Sequence, residues 1–94
     1  MNKKRYYVVF IGRVQNVGFR WTVRMVAQSL GYTGWIRNLS NGNVDMEIQG
    51  SYLDINDFIR RVKQDSRWIR IDDYSVMEID VRENERRFEV AGYY

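Results

Sequence analysis

The 94-residue sequence contains no cysteine, no histidine and no proline. Without cysteine there is neither a disulfide framework nor a thiolate metal site. Without histidine a zinc site would have to be assembled from carboxylates alone. The commonest general base and the best thiol nucleophile are therefore missing from any mechanism. No apolar run approaches the ~20 residues that span a bilayer, and the opening MNKKRYYVVFIGRV holds too short an apolar segment for a signal peptide. Pro-rich, Gly/Ser-rich and low-complexity linkers are absent, as are internal repeats. These gaps set the first expectations: one domain over residues 1–94, in the cytoplasm, with no cofactor, no metal and no membrane partner.

What is present fits a folded domain. The apolar fraction is 45% and the aromatic fraction 15%, inside the globular range, which excludes a disordered or fibrous chain. The net charge of +3 includes Lys3, Lys4 and Arg5 near the start. This is enough to favour a small anion but thin for a nucleic-acid surface. Arginine outnumbers lysine twelve to three, and the guanidinium fork suits phosphate and carboxylate geometry. Most of these charges are expected to be solvated.

The pattern along the chain predicts a strand over Tyr6–Arg13, β-branched and aromatic on both faces. Beyond Gly18, Phe19, Val23, Val26, Ala27 and Leu30 recur at helical spacing, with Gly31 placed as a C-terminal cap. Two strands, Thr33–Asn38 and Val44–Gln49, flank an Asn41-Gly42 hairpin signal, and the second alternates Val44, Met46 and Ile48 with Asp45, Glu47 and Gln49. A second helix is expected to start at Ser51, with Asp54 completing a capping arrangement and Ile55, Phe58, Ile59 and Val62 forming its apolar face. Tyr74–Val81 and Phe88–Ala91 read as a fourth and a short closing strand. The order βαββαβ predicts an α+β, ferredoxin-like sandwich: an antiparallel sheet with two helices on one face. That fold alone names no function.

Chemistry is concentrated in two segments, GRVQNVGFR (Gly12–Arg20) and GWIRNLSNG (Gly34–Gly42). In the first, the chain turns from strand to helix with Gly18 just ahead of the helix. Free N–H groups beside a positive helix end form an anion site, and Arg20 adds a charge able to grip two oxygens at once. Read from the residues alone, an ordinary turn with an exposed Arg20 stands as the alternative.

These segments, followed by NVDMEIQG, resemble the two signature segments of the acylphosphatase family, small enzymes that hydrolyse carboxyl-phosphate mixed anhydrides. The resemblance rests on Gly12, Val14, Gln15, Val17, Gly18, Phe19 and Arg20, then on Gly34, Trp35, Arg37, Asn38, Gly42, Val44 and Gly50, and it extends over essentially the whole chain. It implies that Arg20 binds the phosphoryl group together with the amides of the loop Gln15, Asn16, Val17, Gly18 and Phe19, and that Asn38 orients the attacking water. The implied partners are a small-molecule acyl phosphate and inorganic phosphate or a similar anion, with no nucleic acid, and the protein is expected to be a monomer. Such a two-residue scheme suits a chain without histidine. The carboxylate leaving group, of pKa about 4, needs no general acid, and a loose phosphoryl-transfer transition state is stabilised mainly by electrostatics. For Asn38 the alternative is a local turn bond.

Three positions depart from the family pattern. Asn16 stands where glycine is usual, at a place that would permit positive φ, and Asn is the next most tolerant residue. Phe10 and Ile36 replace smaller aliphatic residues and read as core. Trp21, Trp35, Trp68 and the Tyr6/Tyr7 and Tyr93/Tyr94 pairs offer a stacking surface in principle, but rim and core packing explains them more simply. Asp72, Asp73 and the Glu83–Glu85 turn lack cation-ligand spacing and read as solvated loops. The competing function is a non-catalytic anion or nucleic-acid binding module on the same fold.

Overall fold

The computed structural model describes residues 2–93, the last two by backbone alone, so the side chains of Tyr93 and Tyr94 lie outside the described residues. The elements are β1 (Lys3–Arg13), α1 (Phe19–Ser29), β2 (Thr33–Asn38), β3 (Val44–Ser51), α2 (Ile55–Gln64), β4 (Arg70–Ile79) and β5 (Phe88–Tyr93). They build one sheet in the order β4-β1-β3-β2-β5. The β1–β3, β1–β4 and β2–β3 pairs are antiparallel, as the βαββαβ order predicts. The closing strand differs: β5 pairs with β2 in parallel, so the five-stranded sheet is mixed. The reason is topological. β4 and β5 lie on opposite edges, and the turn between them crosses the end of the sheet where β1 and β2 begin. A chain that has run down β4 must return up β5, the direction of β2.

Helix α1 buries Phe19, Val23, Val26 and Ala27, and α2 buries Ile55, Phe58, Ile59 and Val62. These pack against Val8, Phe10, Ile36, Met46 and Ile48 from the inner face of the sheet. Phe10 meets Phe19 edge to face, with ring centroids 5.0 Å apart. Both larger-than-usual residues, Phe10 and Ile36, are thus fully buried. Leu30 lies just past the last turn of α1 and is exposed.

Several expected boundaries move. β4 runs from Arg70 to Ile79 rather than from Tyr74 to Val81, so Asp72 and Asp73, expected in a solvated loop, lie in a strand paired with the end of β1, and β5 continues to Tyr93. β1 begins at Lys3, because Lys3, Lys4 and Arg5 pair with Ser51, Gly50 and Gln49. For the same reason Ser51 ends β3 rather than opening a helix. Tyr52 turns the chain at φ 57°, and Asp54 is the N-cap of α2, its carboxylate accepting the Asp57 N–H at 3.1 Å.

The outer face of the sheet corrects the expectation of solvation for Arg5 and for Glu85, while Glu83 and Asn84 in the same turn are exposed as expected. Arg5 is 1% exposed. Its Nε donates to Glu47 at 2.7 Å, while its two terminal nitrogens reach Gln49 and both carboxylate oxygens of Glu85 at 2.8–3.1 Å. Further along, buried Asp45 accepts bonds from Tyr7 and, in a two-pronged pair, from Arg37. The alternation in β3 correctly sets Asp45, Glu47 and Gln49 apart from the core, and here they meet charged partners instead of water. Burial and the Asp45 carboxylate together raise the Tyr7 phenol above its usual pKa.

Candidate active site

The C-terminal ends of β1, β2 and β5 and the start of β3 converge at one end of the sheet, where the first signature segment and the Asn38–Gly42 end of the second lie. Two glycines let the strands close, Gly12 at this end and Gly34 at the opposite end of β2. A β-carbon on Gly12 would sit 2.2 Å from the Arg70 carbonyl oxygen, and one on Gly34 would sit 1.9 Å from that of Glu47, so neither strand could close with a larger residue. Gly12 also marks a bulge in the β1–β4 ladder, which turns the chain out of the sheet and into the loop.

In that loop Asn16 takes a left-handed conformation, φ 62°, followed by Gly18 at φ 76° as the N-cap of α1. Asn16 therefore does what a glycine would do there. The N-terminus of α1 has no side-chain cap and no acidic residue in its first turn. The first helical bond runs from the Thr22 N–H to the Gly18 carbonyl at 3.0 Å. The amide dipoles at this end thus have no anionic side chain beside them in the first turn, and an external anion is the natural complement. A cavity of about 240 Å³ opens here, lined by Val14, Asn16, Gly18, Phe19, Arg20, Trp21 and Val90. Arg20 is the one ionisable side chain among these.

The predicted site residues divide by what they touch. Arg20 is half-buried, and one terminal nitrogen donates to the Ala91 carbonyl at 2.6 Å, which anchors the guanidinium against β5. Phe19 is core, and Val17 packs at its margin. The Gln15 side chain is committed to protein: its amide donates to the carbonyls of Leu39 at 2.7 Å and Asn43 at 2.8 Å. It clamps the loop to the hairpin that follows Asn38. Asn38 itself is 1% exposed, and its Oδ1 is buried with no hydrogen-bond partner. The local turn bond that would explain Asn38 without chemistry is made by Asn41, whose Oδ1 accepts from the Asn43 N–H. A buried, unsatisfied amide oxygen costs on the order of 1–3 kcal/mol, and an unmet acceptor at such a position calls for an explanation.

Sequence reasoning missed the contributions of β5 and Trp21. Val90 and the Ala91 carbonyl reach the site only because β5 lies parallel to β2, with Ile36 opposite Val90 and Asn38 opposite Tyr93. No short-range pattern signals that pairing. Trp21 is visible in sequence as one of several aromatics explained by rim and core packing, with nothing to place it at the cavity. A second cavity, about 380 Å³, lies at the opposite end of β2, where Arg82, Arg86 and Arg87 are offset by Glu83, Glu85 and Glu89. Its charges compensate one another, so it has no net charge to draw an anion. Among the described residues no cluster of three or more His, Cys, Asp or Glu is arranged to hold a metal, and no helix is long and apolar enough to cross a membrane.

A family model described as Acylphosphatase matches residues 6–90. The acylphosphatase of Clostridium beijerinckii is 35% identical over 86 residues, covering 92% of this chain and 96% of that protein. The acylphosphatase of Koribacter versatilis is 36% identical over 91 residues, covering 97% and 82%. Among solved structures, the acylphosphatase from Bacillus subtilis superposes with a TM-score of 0.83 at 33% identity, covering 94% of this chain and 98% of that one. Full-length HypF in its phosphate- and nucleotide-bound form superposes with a TM-score of 0.84 at 31% identity. That match covers 98% of this chain but only 12% of HypF.

Proposed function

This chain belongs to the acylphosphatase family and hydrolyses acyl phosphates to carboxylate and inorganic phosphate; we propose that Arg20 and the loop 15–20 hold the phosphoryl group while Asn38 orients the attacking water. The observation that carries this reading is one corner of the sheet. There an arginine anchored to β5, an uncapped helix N-terminus and a buried amide oxygen without a partner are tied together by the Gln15 clamp.

The chemistry follows from charge. In the transition state the phosphoryl oxygens share the developing negative charge. The Arg20 guanidinium and the amides of Asn16 to Arg20 offer fixed positive ends that need no reorganisation. The Asn38 Oδ1, an acceptor with no protein donor, takes a hydrogen bond from the water and directs its lone pair along the line of the departing carboxylate. That water forms the new P–O bond as the bond from phosphorus to the acyl oxygen breaks, and the bonding pair leaves with the carboxylate. The water proton passes to a phosphoryl oxygen of the substrate. This explains how the reaction proceeds in a cavity whose side chains include no carboxylate, thiol or imidazole.

A non-catalytic binder of anions or nucleic acid is not favoured. On the outer face of this sheet the polar positions are closed by internal ion pairs, Arg5 with Glu47 and Arg37 with Asp45, so no basic and aromatic RNA platform is left there. The same closure supports a monomer, and we place the protein in the cytoplasm, readings to be checked by analytical sedimentation and by cell fractionation.

Turnover of benzoyl phosphate in the presence of a chelator tests the residue roles. Arg20→Ala is expected to lower kcat/KM by about 10³ or more, and Asn38→Ala to lower kcat by about 10²–10³. Both variants should keep the native circular dichroism spectrum. Wild-type rates in either folded variant would refute the role assigned to that residue.

A further inference from the structure

The cavity beside Arg20 has two chemically different walls. Asn16, Gly18 and Arg20 are polar or present backbone, whereas Val14, Phe19, Trp21 and Val90 are apolar. Val14 and Phe19 are buried in the core and form the floor. Trp21 and Val90 stand at the rim, and Trp21 is 59% exposed. An indole on the first turn of a helix normally turns into the core or lies along the surface. This one is steadied where it is by the Arg24 guanidinium, 5.4 Å from its ring centroid, an attraction of cation to ring face. The contact favours an indole position at the rim of the phosphoryl cradle.

We propose that Trp21, with Val90 opposite, forms an acyl subsite that gives this enzyme a preference for flat, apolar acyl groups over small or charged ones. The inference rests on the cradle reading above, since the acyl group can reach Trp21 only if its phosphoryl end is held at Arg20. Arg20 and Trp21 line the same cavity, so the acyl group of a substrate gripped at Arg20 lies within reach of the indole. The cavity volume of about 240 Å³ lies below the ~300–1,000 Å³ of drug-sized ligand sites. It suits a phosphoryl group carrying one small ring. A ring stacked on the indole gains its binding from aromatic contact and apolar burial. An acetyl group is too small to cover the indole, and a second carboxylate on the acyl part would have no hydrogen-bond donor among Val14, Phe19, Trp21 and Val90 except the indole N–H.

The test is the ratio of kcat/KM for benzoyl phosphate to that for acetyl phosphate, measured in the wild type, Trp21→Ala and Trp21→Phe. The inhibition constant for inorganic phosphate is followed alongside. Trp21→Ala is expected to reduce the ratio about three- to tenfold, as loss of one aromatic contact implies, through KM for the aryl substrate, and Trp21→Phe to restore most of it. The inhibition constant for phosphate should move less than twofold. An unchanged ratio in Trp21→Ala would overturn the subsite while leaving the cradle reading intact. So would an equal loss on both substrates with weakened phosphate inhibition, since that would make Trp21 a support for the cradle. If the wild type turned over neither substrate, the cradle reading would fall and the subsite with it.

Discussion

Asn16 is the sharpest single probe of the cradle, because its backbone and side chain make separable predictions. Its φ of 62° lies in the left-handed region, which costs an ordinary L-residue roughly 1–2 kcal/mol and asparagine less. Replacing it by glycine removes the remaining strain. It also loosens the unfolded chain by about 0.4–1 kcal/mol, so Asn16→Gly should leave stability within about 0.5 kcal/mol. Asn16→Ala keeps a β-carbon without the asparagine tolerance and should lose about 1 kcal/mol. With a urea slope of roughly 1–3 kcal/mol/M for a small domain, that is a midpoint shift of about 0.3–1 M. The catalytic effect has the same origin. If alanine relaxes toward negative φ, the amides of Asn16 to Gly18 turn away from the cavity, and one misplaced donor at an oxyanion site costs on the order of 10²-fold. Urea melts followed by tryptophan fluorescence, together with kcat for benzoyl phosphate, measure both. Asn16→Gly should stay within about threefold of wild type, and Asn16→Ala should fall by ten- to a hundredfold. A hundredfold gain in Asn16→Gly would mean that the Asn16 side chain obstructs the phosphoryl site. Wild-type stability and turnover in Asn16→Ala would mean that the left-handed turn is not required.

Three further outcomes test the cradle clamp and the sheet that carries it. Gln15→Leu removes both bonds to the hairpin carbonyls and is expected to lower kcat about tenfold or more by letting Asn38 drift, with a smaller change in phosphate inhibition; equal losses in both would show that Gln15 contacts the phosphate. Gly34→Ala places a β-carbon 1.9 Å from the Glu47 carbonyl oxygen at φ 147°, and overpacking plus backbone strain of about 3 kcal/mol should lower the melting temperature by more than about 10 °C. Burial alone would raise the Glu85 pKa, but its bonds to Arg5 and Thr33 and the Arg5 and Arg82 charges hold it below the ordinary value. Its contribution is therefore present above the unfolded carboxylate pKa and is lost as pH falls through the folded value. Glu85→Gln should cost about 2 kcal/mol in urea melts at pH 7, and the gap from wild type should close below about pH 4; a gap independent of pH would refute the pairing.

Sequence alone carried the parts of this structure that depend on local periodicity. The inner faces of β3, α1 and α2 follow from spacing, and Val44, Met46, Ile48, Phe58 and Val62 lie where the pattern puts them. The strand-to-helix loop was legible for a similar reason. Gly18 ahead of the helix and Arg20 in its first turn are properties of a few adjacent residues, whereas the positive φ at Asn16 is implied by the resemblance, through the glycine usual at that place. What was not legible depends on partners distant in sequence. The parallel seating of β5 brings Val90 and the Ala91 carbonyl to a site whose other members lie some fifty to seventy residues earlier. The β3–β1 ladder takes Ser51 from the helix whose cap it resembled, because a strand pairing outweighs a single side-chain cap.

Arg5 shows how far a charge can mislead when it is read from composition. Next to Lys3 and Lys4 it looks like part of a basic, anion-attracting end, yet it is buried on the outer face of the sheet as deeply as Asp45. Strand period decides its face, and strand order decides its company: β1 lies beside β3, so Arg5 stands opposite Gln49 and reaches Glu47, and the 80–87 turn brings Glu85 over it. Arg20, in the first turn of α1, is instead the arginine that the fold presents to the small cavity. The positive charge offered to a phosphoryl group is therefore set by which arginine the fold seats at the cavity, not by the net charge of the chain.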